Sequence, residues 1–160
     1  MCIWTIEKWK KIIKNDSTRR TGLRVRFEKD VNAEVRRACI SFCKWLRSKY
    51  NFPIRVPIYI KASKKIIAMD DERVYATFFA PFNLEQEPYI RVATGTYVED
   101  ALKYGKDNAL AGILVSIAHE LTHYFQWING IKLTPIGTER QATMHSRWII
   151  DEYKLTRDHP

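Results

Sequence analysis

The chain has 160 residues, 46% of them hydrophobic, with 27 Lys and Arg against 18 Asp and Glu, a formal net charge of +9. That length supports one core and leaves a second domain cramped, so residues 1–160 are expected to form a single domain. Six glycines and six prolines mark no linker, and three cysteines without paired spacing exclude a disulfide scaffold.

The first twenty residues read as an amphipathic extension. Ile3, Ile6, Trp9 and Ile13 share one side of a short helix expected to dock on the domain, with a membrane-surface anchor as the alternative, and the stretch lacks the uninterrupted apolar run of a signal peptide. With no segment apolar enough to span a membrane, the expected location is cytoplasmic. Leu23–Phe27 alternates apolar residues with Arg24 and Arg26, the pattern of a half-exposed strand. Val31–Tyr50 has helical periodicity through Val35, Phe42, Trp45 and Leu46. Its Cys39 and Cys43 have no Cys or His elsewhere to complete a metal site by spacing, so they read as core thiols.

Short β-like runs follow. Ile54–Ile60 alternates, with Pro57 arguing for an edge or a bulge. Lys65–Met69 and Arg73–Ala80 flank Asp70-Asp71-Glu72 as a hairpin, and Tyr89–Ala93 comes after a loop holding Pro81 and Pro88. Asp107 to Asn129 then forms a long helix without proline, with Asp107 as N-cap and Gly130 as terminator. Leu110, Ile113, Leu114, Ile117, Leu121, Phe125 and Ile128 make its buried stripe. His119 and His123 share another stripe with Gly112, Val115, Ser116 and Gln126. A final helix is expected from Glu139 to about Lys154, capped by Thr138 with Gln141 reaching back. The predicted order is therefore β-α-β-β-β-β-α-α.

The chemistry lies in His119-Glu120-Leu121-Thr122-His123. Residues i and i+4 of a helix sit one turn apart on one face, so both imidazoles can reach one metal ion. Glu120 would stand beside that ion, where it can take a proton from water. Two histidines and a glutamate on a largely apolar helix need compensation, and a metal supplies it. Among downstream donors, Glu139 falls in the first turn of the last helix, where the dipole favours an ionised carboxylate. His145, six residues on, points roughly 120° away, so the two cannot both serve. Glu139 is the favoured third ligand and His145 the alternative. Tyr124 and His159 stand as candidate oxyanion stabilisers, whereas Tyr153 lies about 21 Å along the helix from Glu139, too far to act.

HExxH followed sixteen residues later by Glu139-x-x-Ala142 resembles the gluzincin zinc metallopeptidases, above all their small members, the minigluzincins and the ImmA/IrrE-type domains. Where the ImmA/IrrE domains usually carry glycine before the second histidine, this chain has Thr122. The resemblance implies Zn2+ held by His119, His123 and Glu139, with Glu120 as general base and Ala142 as a small contact between the two helices. It implies an α+β fold: a small zincin-like domain with a mixed, mostly antiparallel sheet packed against an active-site helix and a downstream ligand helix. It implies hydrolysis of internal bonds in a protein or peptide substrate, paired along Arg73–Ala80 as the edge strand. The basic clusters at Lys8–Lys14, Arg19–Arg26, Arg36–Arg37 and Lys61–Lys65 suit a nucleic acid or another anionic partner. They keep open two alternatives, an SprT-like protease acting at DNA, with His145 as third histidine, and a non-catalytic nucleic-acid or partner-binding module on the same scaffold.

Overall fold

The computed structural model describes residues 2–160. A 3-10 turn (Ile3–Thr5) and a four-residue helix α1 (Trp9–Ile12) precede β1 (Leu23–Phe27), α2 (Ala33–Lys49) and β2 (Val56–Lys61). A hairpin of β3 (Ile66–Ile67) and β4 (Arg73–Val74) leads into β5 (Ala76–Phe79) and β6 (Tyr89–Ala93). Three helices close the chain: α3 (Tyr97–Tyr104), α4 (Lys106–Ile128) and α5 (Pro135–Lys154). No helix among the described residues is long and apolar enough to cross a membrane.

The main sheet has the order β1-β2-β6-β5. Its β1–β2 and β2–β6 pairs are parallel and only β5–β6 is antiparallel, so the sheet is mixed but mostly parallel, contrary to the antiparallel expectation. Long crossovers allow this: α2 connects β1 to β2, and the hairpin with β5 intervenes before β6. The expected edge role for Pro57 fails with it, because β2 is interior. Pro57 is tolerated there because Val56 N–H bonds the Gly22 carbonyl on the β1 side. The next nitrogen, that of Pro57, therefore faces β6, where pairing begins only at Ile58.

One face of the sheet is apolar. Leu23, Val56, Ile58, Ile60, Ile90 and Val92 are buried there, with α2 and α4 packed over them. α4 is the central helix, touching β5, β6, α2, α3, α5 and the N-terminal turn. Leu110, Leu114, Ile117, Leu121, Phe125 and Ile128 are buried as their spacing predicts, with Ile113 half-buried. Cys39 and Cys43 lie in this core without any exposure, and burial pushes the Cys43 thiol up to about 12.

Several boundaries differ from expectation. Residues 1–20 form no single helix: Ile3 and Trp4 are buried as a strap across α4 and α5, and α1 is one turn. Arg73–Ala80 breaks at Tyr75, so β4 belongs to the hairpin and β5 alone to the main sheet. α3 has no counterpart in the predicted order. It ends at Gly105, whose φ of 91° also opens α4, so the start of α4 lies at Lys106 and Asp107 falls in its first turn rather than at its cap. At the other end Gly130 has φ 60°, the left-handed stop its position predicts.

Candidate metal centre

α5 begins four residues earlier than expected. Thr134, not Thr138, is the N-cap: its side chain accepts from Gly137 N–H at 3.1 Å, and Pro135 occupies the first turn, where its missing N–H costs nothing. Glu139 therefore sits in the second turn, beyond the strongest reach of the helix dipole, and Gln141 does not cap. Glu139 is positioned by packing instead. Ala142, Ser146, Ile149, Ile150 and Tyr153 are buried along one side of α5, and Glu139, itself exposed, lies at the N-terminal end of that side. Ala142 has no exposed surface, so nothing larger separates the helices here.

The three side chains converge. His119 Nε2 lies 3.0 Å from Glu139 Oε2, and His123 Nε2 lies 3.1 Å from Oε1 of the same carboxylate. One ligand atom from each residue falls within 4.8 Å of the others. The imidazoles meet edge to face, 4.9 Å between ring centres, as one helical turn requires.

Gln126 fixes one of these rings. Its amide nitrogen donates to the Thr138 carbonyl at 3.1 Å and to Gln141 Oε1 at 2.9 Å. A carbonyl only accepts, so the Gln126 oxygen must face the other way, towards His123 Nδ1 at 2.8 Å. Nδ1 of His123 then carries the hydrogen and Nε2 presents a lone pair. That lone pair points at a carboxylate oxygen 3.1 Å away. Two acceptors facing each other repel, and either a second proton on the ring or a cation between them relieves it. Two imidazoles and a carboxylate are the donor set of an open tetrahedral zinc site, so the residues present fit a metal. Burial, reinforced by His123, lowers the His119 pKa against the opposing pull of Glu139, which favours the neutral, ligating imidazole.

Comparison of the chain with protein-family models, with curated proteins and with solved structures finds no match. What the site can do is therefore argued from its own residues.

Glu120 is 9% exposed and lines the same groove as the histidines and Glu139. Burial first, and Glu139 second, push its pKa up to about 8. The groove, about 760 Å3, runs between α4, the start of α5 and the free edge of β5, with Val74, Trp127 and Ile131 adding apolar wall. His145 does not join it. It is 2% exposed on another face of α5, where Nδ1 accepts from Ile3 N–H at 3.1 Å and the ring stacks on Trp148. The other oxyanion candidates are also committed elsewhere. Tyr124 O–H donates to the Ile54 carbonyl at 2.6 Å, Tyr153 is buried against Phe42 and Trp45, and His159 pairs with Asp107 near the far end of α4.

Two residues near the centre went unassigned in the sequence. Gln126 shares the histidine stripe, and that shared stripe was the available signal for its role. Thr122 is buried on another face of α4, where its hydroxyl accepts from Trp4 Nε1–H at 2.9 Å and donates to the Ala118 carbonyl at 2.8 Å. The hydroxyl at this position thus holds the N-terminal strap.

Proposed function

We propose that this protein is a zinc-dependent peptidase that hydrolyses internal peptide bonds. The observation that carries the reading is the approach of both His119 and His123 Nε2 atoms to one carboxylate, Glu139, with Glu120 in the same groove. Zinc bound by the three residues would polarise the scissile carbonyl and bring the pKa of a water down to ~7.

The chain's own groups supply the remaining steps. Glu120 takes the proton of the attacking water while the oxygen bonds the carbonyl carbon, then delivers that proton to the nitrogen as the C–N bond breaks. Burial and Glu139 raise the Glu120 pKa in the metal-free groove, and the positive charge of a bound zinc would oppose that rise and favour the carboxylate that accepts the proton. Gln126 keeps the His123 lone pair aimed into the groove. β5 pairs only with β6, so its other edge is free for an extended substrate to add as a further strand. Flanking side chains of the substrate then rest on Trp127 and Ile131.

The test is turnover of casein and a mixed peptide library by zinc-loaded protein, with products read by mass spectrometry. Internal cleavage is expected from the native chain. Glu120→Gln should keep its zinc and lose turnover by a factor of about 10²–10⁴. Equal rates in the two proteins would remove Glu120 from the mechanism, and an intact library after incubation with the zinc-loaded native chain would remove the peptidase reading.

A further inference from the structure

The helices all cover one face of the main sheet, and the residues of the other face carry the charge. Strand alternation puts Arg24 and Arg26 of β1, Tyr59 and Lys61 of β2, and Tyr89 and Arg91 of β6 on that outer face. The register aligns them across strands: Arg26 opposes Tyr59, and Tyr59 opposes Arg91. Cations therefore flank an aromatic ring at the ~4.8 Å spacing of neighbouring strands. Tyr59 is 37% exposed, and beside it Tyr89 continues the aromatic strip, 6.2 Å from Tyr59 and stacked on Phe79 at 4.9 Å.

No acidic side chain belongs to these strand positions, and among the described residues none of the four cations forms an ion pair; Arg91 is tied to the Ile67 carbonyl of the β3–β4 hairpin at 3.1 Å, which leaves Arg24, Arg26 and Lys61 as the free cations of this face. The carboxylates at the rim are already engaged. Glu87 pairs with Arg20 and Arg55, and Glu28 accepts from Ala62 N–H. Several residues of the other basic clusters are engaged elsewhere. Arg37 pairs with Glu34, Arg36 lies over Phe27, and Lys10 pairs with Glu7 on the far side of the core.

We infer that this open sheet face is a binding surface for single-stranded nucleic acid. Arg24, Arg26 and Lys61, free of carboxylates along this face, match a phosphate backbone, and the exposed Tyr59 ring beside them offers a surface on which an unpaired base stacks. A duplex hides those base faces. An anionic membrane calls for protruding aliphatic side chains, and the exposed positions of β1, β2 and β6 carry none. The inference does not rest on the peptidase reading, because the groove with Glu120 opens along the edge of β5 and uses none of these residues.

The test is fluorescence anisotropy with a labelled oligothymidylate of about 12 nucleotides, titrated with native protein at several salt concentrations. Binding that weakens steeply with salt is expected. Arg24→Glu with Arg26→Glu should reduce affinity more than tenfold, and Tyr59→Ala by about tenfold. Lys44→Glu with Lys49→Glu, an equal charge change on exposed α2 positions behind the opposite face, should stay within about threefold; circular dichroism verifies the fold of each variant. Three results overturn the inference: no binding by the native chain, equal losses in the two double variants, or tighter binding to the duplex form. Retention on phosphatidylserine vesicles without oligonucleotide binding would assign the face to a membrane instead.

Discussion

At the scale of single residues, the centre depends on which atoms accept and which donate. Gln126 is the residue that decides this for His123. Its amide is pinned by the Thr138 carbonyl and Gln141, and its oxygen is left to receive the Nδ1 hydrogen. Partners of this kind orient metal-ligating histidines, and their loss weakens metal binding by about 10–100-fold. Gln126→Ala should therefore raise the zinc dissociation constant by that factor, measured by competition with a chromophoric chelator, while the metal-free fold persists. An unchanged constant would show that the His123 ring is oriented by packing alone. The histidines and Glu120 were legible because HExxH has meaning at helical spacing. Gln126 was not, since its role depends on the Thr138 carbonyl, and nothing in the residue order says that this carbonyl lies within reach.

Elements were read well where local chemistry decides them and poorly where two signals competed. α4 was expected within a residue of its observed ends, because an apolar stripe bounded by glycine is a local signal. Two threonines precede α5: Thr134 followed by Pro135, which the expectation passed over, and Thr138 followed by Gln141, on which it rested. The first prevails because proline at the start of a helix fixes φ and forgoes an N–H that would lack a partner anyway. α3 escaped because eight residues ending in glycine resemble a loop.

Two glycines show the same contrast and give a prediction. Gly112 sits inside α4 with open space around it, so Gly112→Ala should stabilise the protein by about 0.5–1 kcal/mol through helix propensity. Gly95 follows β6, and a Cβ there would meet the Ala62 carbonyl oxygen at 2.5 Å and backbone atoms of Ser63 and Lys64 at 2.6 and 2.7 Å. Gly95→Ala must displace backbone and should destabilise by more than about 2 kcal/mol. Denaturant midpoints measure both, and a destabilising Gly112→Ala or a neutral Gly95→Ala would contradict these environments.

Over the whole molecule, length and composition pointed to one core, and burial supplies it; the α+β class followed from the order of elements and the family resemblance. The direction of the strands was not legible. Parallel pairing joins segments far apart in the chain, here Leu23 with Val56 and Ile58 with Ile90, and local alternation carries no record of direction. One clue was present in β2, where only Tyr59 interrupts a buried run from Val56 to Ile60, as befits an interior strand. The third member of the cluster was partly legible: Glu139 was favoured by a capping argument that the helix start overturns, yet packing of α5 on α4 brings its carboxylate to both histidines all the same.

The peptidase reading stands on one claim, that His119, His123 and Glu139 hold a metal ion. Elemental analysis of protein purified from zinc-replete medium tests it most directly. The account predicts about one zinc per chain, lost in His119→Ala, sharply reduced in Glu139→Ala and kept in His145→Ala, whose side chain only ties the N-terminal strap to α5. Native protein with far less than one zinc per chain, or variants in which His145 rather than Glu139 governs the metal content, would contradict it.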